Sequence, residues 1–181
     1  MTHIRHADPA TDAAACAAIY APFVESTAVS FEERVPSETE FAERIERITR
    51  THPWLVAEVD GEVVGYAYAT PHRDRAAYRW AADVTVYVAE AHRRKGIARA
   101  LYQALFELLT HQGFHVACGG VTLPNDASLG LHEALGFKPV GVYRRIGWKA
   151  GAWRDVAWFQ RELTAPSDGK PPEPGPPTRL T

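Results

Sequence analysis

Val86-Tyr87-Val88-Ala89-Glu90-Ala91-His92-Arg93-Arg94-Lys95-Gly96-Ile97-Ala98 is the stretch on which the reading of this chain turns. β-Branched residues alternate into it at Val84, Val86 and Val88, the period of a strand. From Ile97 onward Leu101, Ala104, Leu105, Leu108 and Leu109 recur at spacings of three and four, the period of a helix with one buried face. Gly113 is a natural stop for it. Between strand and helix lies a basic turn. A helix start leaves backbone N–H groups unpaired at the positive end of the dipole. Arg93, Arg94 and Lys95 add charge and Gly96 lets a ligand approach the backbone, which together suit a polyanion. A solvated basic loop before an ordinary helix fits the same residues. A nucleotide P-loop does not, because no Gly-Lys-Ser/Thr follows.

Arg93-Arg94-Lys95-Gly96-Ile97-Ala98 resembles the Q/R-x-x-G-x-G/A signature of the GCN5-related N-acetyltransferases, the GNAT superfamily. Leu123-Pro124-Asn125-Asp126-Ala127-Ser128 and Leu131-His132-Glu133-Ala134-Leu135-Gly136-Phe137 resemble the second half of the same cofactor site. With residues 52–63 and 85–88, they resemble the phosphinothricin N-acetyltransferase branch across residues 4–163. The resemblance implies an α/β GNAT fold, a mixed twisted sheet with helices on both faces, over residues 1–163. The cofactor would lie in a splay between strands at 80–88 and 115–121. It implies acetyl-CoA as co-substrate and no metal. The cofactor would be held by Val86, Tyr87, Val88, Arg93, Arg94, Lys95, Gly96, Ile97, Ala98 and Arg99, with Asn125 touching the pantetheine arm and Tyr102 near the thiol. A homodimer is implied too, and the aromatic Trp148, Trp153, Trp158 and Phe159 fit either an interface or a core.

Composition sets the outer bounds. The chain has 181 residues, enough for one domain with a proper core. Net charge is 20 − 22 = −2, which points to neither a nucleic-acid nor a membrane partner. Cys16 and Cys118 are expected to be buried free thiols in a reducing cytoplasm, and no leader or spanning segment is read. His3 and His6 lack further ligands nearby, so no metal is expected there.

Taken in order, the chain reads as a strand at 2–6 and an alanine-rich helix opened by Asp8-Pro9. A polar loop at 26–35 holds Phe31, and Ser37 and Glu40 form a capping box before a charged helix. Asp60-Gly61 closes a hairpin. Gly119-Gly120, in the strand at 115–121, leave room for backbone or ligand. Strands at 138–146 and 153–163 are joined through residues 147–151. Residues 164–181 carry six of the 13 prolines and no apolar rhythm, and are expected to be a disordered or extended tail outside the fold.

Acetyl transfer to an amine needs a proton acceptor, a donor for the developing oxyanion and a departing thiolate. The family carries a Glu at the position of Asp83, so Asp83 is the first candidate base, reaching the amine through water. A structural Asp paired to an arginine such as Arg79 is its rival. His132 stands where many members of the superfamily have an acidic Tyr and where this branch has a His, and imidazole serves as base or acid near neutrality. The Val86 or Tyr87 main-chain N–H is the expected oxyanion donor. Nothing around Cys118 suggests activation, so direct attack is favoured over a ping-pong route.

The family also places a basic residue, a second Arg and a Tyr at the positions of Arg73, Arg75 and Tyr78, where a solvated charged loop is the other reading. It places Phe31 on a loop bordering the acceptor, where a core anchor under the loop fits equally. Paired guanidinium groups suit carboxylate or phosphinate oxygens. The implied acceptor is therefore the α-amine of phosphinothricin, methionine sulfoximine, methionine sulfone or a similar small amino acid. Ordinary amino acids, protein N-termini and a non-catalytic acetyl-CoA-binding module are the alternatives.

Overall fold

The computed structural model describes residues 1–166 and 168–180. Its elements in chain order are β1 (Thr2–His6), α1 (Pro9–Glu25), α2 (Glu38–Thr49), β2 (Trp54–Val59) and β3 (Glu62–Pro71). There follow β4 (Ala81–Val88), α3 (Ile97–Gln112), β5 (Val116–Thr122), α4 (Asp126–Ala134), β6 (Lys138–Lys149) and β7 (Ala152–Glu162). The strands form one sheet in the order β1-β2-β3-β4-β5-β7-β6, and only β4 and β5 run parallel. This is the mixed sheet expected from the sequence.

Local chemistry explains most boundaries. Asp8 caps α1 by accepting from the Ala10 N–H, with Pro9 as first residue. Ser37 and Glu40 form the reciprocal capping box of α2. Asp60 and Gly61 both take positive φ, 52° and 84°, as a tight two-residue hairpin requires. The β6–β7 hairpin corrects the sequence reading. Pairing continues through Trp148↔Trp153 and Lys149↔Ala152, so the join is the two-residue turn Ala150-Gly151, at φ 51° and 72°.

Two cores flank the sheet. Val84 and Val88 pack with Leu101, Leu105 and Leu109 of α3 on one face. On the other, Tyr66 packs with Tyr20, Phe41 and Trp54 from α1, α2 and β2, and Tyr87 lies against them. Beneath the second face a polar brace fastens α1. Arg5 holds both oxygens of Asp12, at 2.7 and 2.8 Å, while also bonding Glu58.

The segment after Leu163 carries no helix or strand among its described residues and lies along the body. Trp80 Nε1 donates to Pro172 O, Arg79 pairs with Glu173, and the Leu180 N–H donates to His6 Nε2. Ser167 and Thr181, part of the same expected tail, lie outside the described residues.

Candidate active site

The site is made by a break in pairing. The β4–β5 register holds Ala81↔Val116, Ala82↔Ala117 and Asp83↔Cys118, and then stops. Beyond Asp83 the two parallel strands diverge. Ala89 N–H donates to Val64 O across the β3–β4 register. In an antiparallel pair alternate residues turn their backbone groups to the same neighbour, so Tyr87, Thr85 and Asp83 also face β3. The backbone groups of Val84, Val86 and Val88 therefore face the splay, and the Val84 carbonyl is met there by Tyr102 Oη at 3.4 Å. The Tyr87 N–H therefore faces β3, and the Val86 N–H faces the splay. The Tyr87 side chain is ring-packed against Tyr20 and Phe23.

At the mouth of the splay β4 passes through the basic turn into α3. Gly96 is the N-cap, at φ 81°, and supplies no capping side chain to the first helical N–H groups, those of Ile97, Ala98 and Arg99. A Cβ on Gly96 would meet nothing within 4 Å, so the space beside the cap residue is open. Free strand edge, open cradle and unpaired donors fit an extended thioester cofactor ending in a diphosphate. Arg94, at φ 59°, and Lys95 stay exposed beside the cradle. Arg93 turns away, its guanidinium 5.0 Å from the Phe23 ring centroid. Asn125 caps α4 through Oδ1, which accepts from the Ser128 N–H, leaving its amide N–H groups for a ligand.

The two candidate catalytic residues lie on opposite faces of the sheet. Neighbours paired across strands share a face, so Asp83 and Cys118 stand together, on the side of Tyr87. Gly119, the next residue of β5, faces the α3 side, and there it meets His132. The His132 Nδ1 donates to Ser128 O at 2.7 Å, and the ring is buried against Phe137 and Phe159. Burial lowers its pKa, against the smaller opposing pull of the Ser128 carbonyl, so the ring is neutral at neutral pH. With the Nδ1 proton committed, Nε2 presents a lone pair. It is buried without a partner among the described residues. His132 in this state is an acceptor, and it becomes an acid only after taking a proton.

Sequence reasoning missed His72. Its Nδ1 lies 2.6 Å from Asp83 Oδ1, so the partner of Asp83 is this imidazole and not Arg79, which pairs with Glu173. Burial raises the Asp83 pKa, and His72 and Arg73 pull it back. His72, Asp83 and Cys118 offer ligand atoms within 4.8 Å of one another, where no metal set was expected, and His72–Asp83 is a hydrogen bond. The two residues stand 11 apart, across the Thr70↔Asp83 register. Burial pushes the Cys118 thiol up to about 11, which supports direct attack on the thioester.

The acceptor-side residues are less tightly grouped. Arg73 is bonded to His72 O at 2.9 Å and lies close enough to act on the Asp83 charge. The Tyr78 ring sits 5.7 Å from that of His72, and Arg75 is exposed at the start of the same turn. Phe31 lies across Gly147 of β6, where any Cβ would collide with its ring. Lys149 fastens that loop by donating to Val24 O and Glu32 O. Gly119 and Gly120 leave room for side chains, not for ligand: His132 fills one and Trp158 the other.

The acetyltransferase (GNAT) domain model matches residues 4–158, so the chain belongs to the GNAT family of acetyltransferases. Among its relatives, the phosphinothricin N-acetyltransferase of Streptomyces viridochromogenes is 40% identical, covering 91% of this chain and 90% of its own. The L-methionine sulfoximine/L-methionine sulfone acetyltransferase of Salmonella typhimurium is 35% identical, covering 88% and 94%. A Sinorhizobium meliloti GNAT phosphinothricin acetyltransferase, solved in complex with acetyl-CoA, superposes with a TM-score of 0.90. It is 36% identical and covers 95% of this chain and 94% of its own. The protein is thus an acyltransferase of N-acetyltransferase type, with acetyl-CoA as co-substrate.

Proposed function

We propose that the protein acetylates the α-amine of phosphinothricin, methionine sulfoximine, methionine sulfone or a similarly small amino acid by direct attack. The observation that carries this reading is the junction of Asp83 and the arginine-bearing loop at the point where the β4–β5 pairing ends. Bound there, acetyl-CoA supplies an activated acetyl thioester. The backbone facing the splay and the open helix start would hold it, with the Val86 N–H as oxyanion donor. The Asp83 group serves the amine on one face, and on the other His132 accepts the second nitrogen-borne proton and returns it to the departing thiolate. Arg73 and Arg75 receive the acceptor's carboxylate, with Tyr78 and Phe31 bordering it. The names of the two curated relatives support this acceptor class.

Thiol release from acetyl-CoA should be measured against phosphinothricin, methionine sulfoximine, methionine sulfone, free amino acids, a peptide and an aminoglycoside. Preference for the first three is expected. Turnover of ordinary amino acids alone would make the enzyme a metabolic one, and silence with acetyl-CoA still bound would favour a sensor. In the same assay Arg75→Ala should raise the acceptor KM about tenfold while kcat changes little. An unchanged KM would remove the carboxylate clamp.

The protein is further proposed to act in the cytoplasm as a homodimer. The support for the dimer is the β6–β7 hairpin, which exposes Val140, Val142, Tyr143, Ile146 and Trp148 on the edge strand β6, with Trp153 exposed beside them at the start of β7. Light scattering should give about twice the chain mass of 20.0 kDa, and a monomer at all concentrations would exclude the dimer.

A further inference from the structure

We propose that His72 is the group that takes the proton from the acceptor amine, and that Asp83 is the carboxylate that orients it. This rests on the acceptor reading above and assigns the proton transfer within it.

The argument begins with valence. A carboxylate accepts hydrogen bonds, so the 2.6 Å contact between Asp83 Oδ1 and His72 Nδ1 places a proton on Nδ1. Nε2 is then the ring's lone-pair nitrogen. Among the described residues none bonds it, and it is not among the fully buried unpartnered atoms. The ring is held on three sides, by the carboxylate, by Tyr78 at 5.7 Å and by Trp158 at 6.1 Å, both rings edge-on. A base whose other nitrogen is fixed by a carboxylate is the arrangement that sets tautomer and aim together. Asp83, by contrast, already spends one oxygen on the imidazole, and its side chain is one methylene shorter than a Glu.

Position on the chain adds a second reason. Arg73, which would take the acceptor's carboxylate, is the next residue and is tied to the His72 carbonyl at 2.9 Å. In an α-amino acid the amine and the carboxylate share one carbon, so adjacent groups on the protein can address both. Asp83 on β4, Cys118 on β5, Arg73 on the loop and Tyr78 on the following turn are the ionisable groups facing the ring. Cys118, its thiol pushed up to about 11, stays neutral and does not compete for the proton.

The step balances without a further reactant. One ammonium proton passes to His72 Nε2 and from there to solvent. The freed nitrogen lone pair forms the N–C bond, the C–S electron pair leaves on sulfur, and the second nitrogen-borne proton ends on that sulfur.

The test is the pH dependence of kcat/KM for methionine sulfoximine in the wild type, His72→Gln and Asp83→Asn. His72→Gln is expected to lower kcat about a hundredfold, keep the acceptor KM within about twofold and abolish the acidic limb. Asp83→Asn should lower kcat and keep the limb. If His72→Gln keeps the limb and Asp83→Asn removes it, Asp83 is the base and the proposal fails. Nitrogen-15 NMR of the histidines in the wild-type protein provides a readout independent of turnover and of variant folding. An Nδ1–H tautomer at His72 is expected, and an Nε2–H tautomer overturns the assignment. An Nδ1–H ring in a protein that acetylates none of the panel would instead sink the acceptor reading alone.

Discussion

Gly119→Ala is expected to cost about 1–3 kcal/mol of stability and to cut turnover about a hundredfold, although the change adds one methyl group. A Cβ at this position would lie 2.6 Å from His132 Nε2. The ring is held by a hydrogen bond and by three neighbouring rings. Nδ1 is bonded to Ser128 O at 2.7 Å, and Phe137, Phe159 and Tyr102 surround it. Accommodating the methyl therefore means rotating the imidazole, breaking that hydrogen bond and displacing Nε2. Denaturant unfolding and steady-state kinetics on Gly119→Ala, His132→Ala and the double variant would decide the matter. With the ring gone, the methyl has room, so the double variant should be no less stable than His132→Ala. Additive losses would mean that His132 does not press on β5 as described. If Gly119→Ala is destabilised yet keeps full kcat, His132 leaves the mechanism.

Arg5→Ala should destabilise the protein by about 3 kcal/mol without touching the site. Asp12 is 2% exposed, and its charge is tolerated through the two-pronged contact with Arg5 and one bond from the Asp8 N–H. Burial alone would raise the Asp12 pKa. The Arg5 and Asp8 hydrogen bonds outweigh it and hold the carboxyl below its ordinary value. A depressed carboxyl pKa gives stability that is present above about pH 4 and lost as pH falls through the folded-state value. In Arg5→Ala the buried carboxylate is left uncompensated, so the variant is relieved by protonation. The gap between the two proteins should therefore be widest at neutral pH and narrow as pH falls. A gap independent of pH would show that Arg5 contributes packing and not charge.

Much of the fold was legible because it rests on local chemistry. The capping box at Ser37 and Glu40, the Pro9 helix start, the positive-φ pair at Asp60-Gly61 and the glycine cap of α3 depend on residues within a few positions of one another. The end of β6 was misread because Gly147 signals a break. Gly147 is in fact a glycine so that Phe31, more than a hundred residues away, can cross the strand. The residues following Leu163 carry a composition that favours extended chain. Composition says nothing of the carbonyl of Pro172 that Trp80 meets, or of the imidazole of His6 that receives the Leu180 N–H.

The site divides the same way. Sequence by itself determined the family, the strand–turn–helix that forms the polyanion cradle, and the positions of Asp83, His132 and the arginine loop. Each of these is a motif read along the chain. Only the tertiary structure decided which groups meet. It set Asp83 and His132 on opposite faces, because residues 118 and 119 alternate across one strand. It turned the Val86 N–H to the splay and the Tyr87 N–H away from it, and folded Arg93 onto Phe23. It also brought His72 from β3's end against Asp83, a partnership fixed by strand register, which no pattern along the chain records.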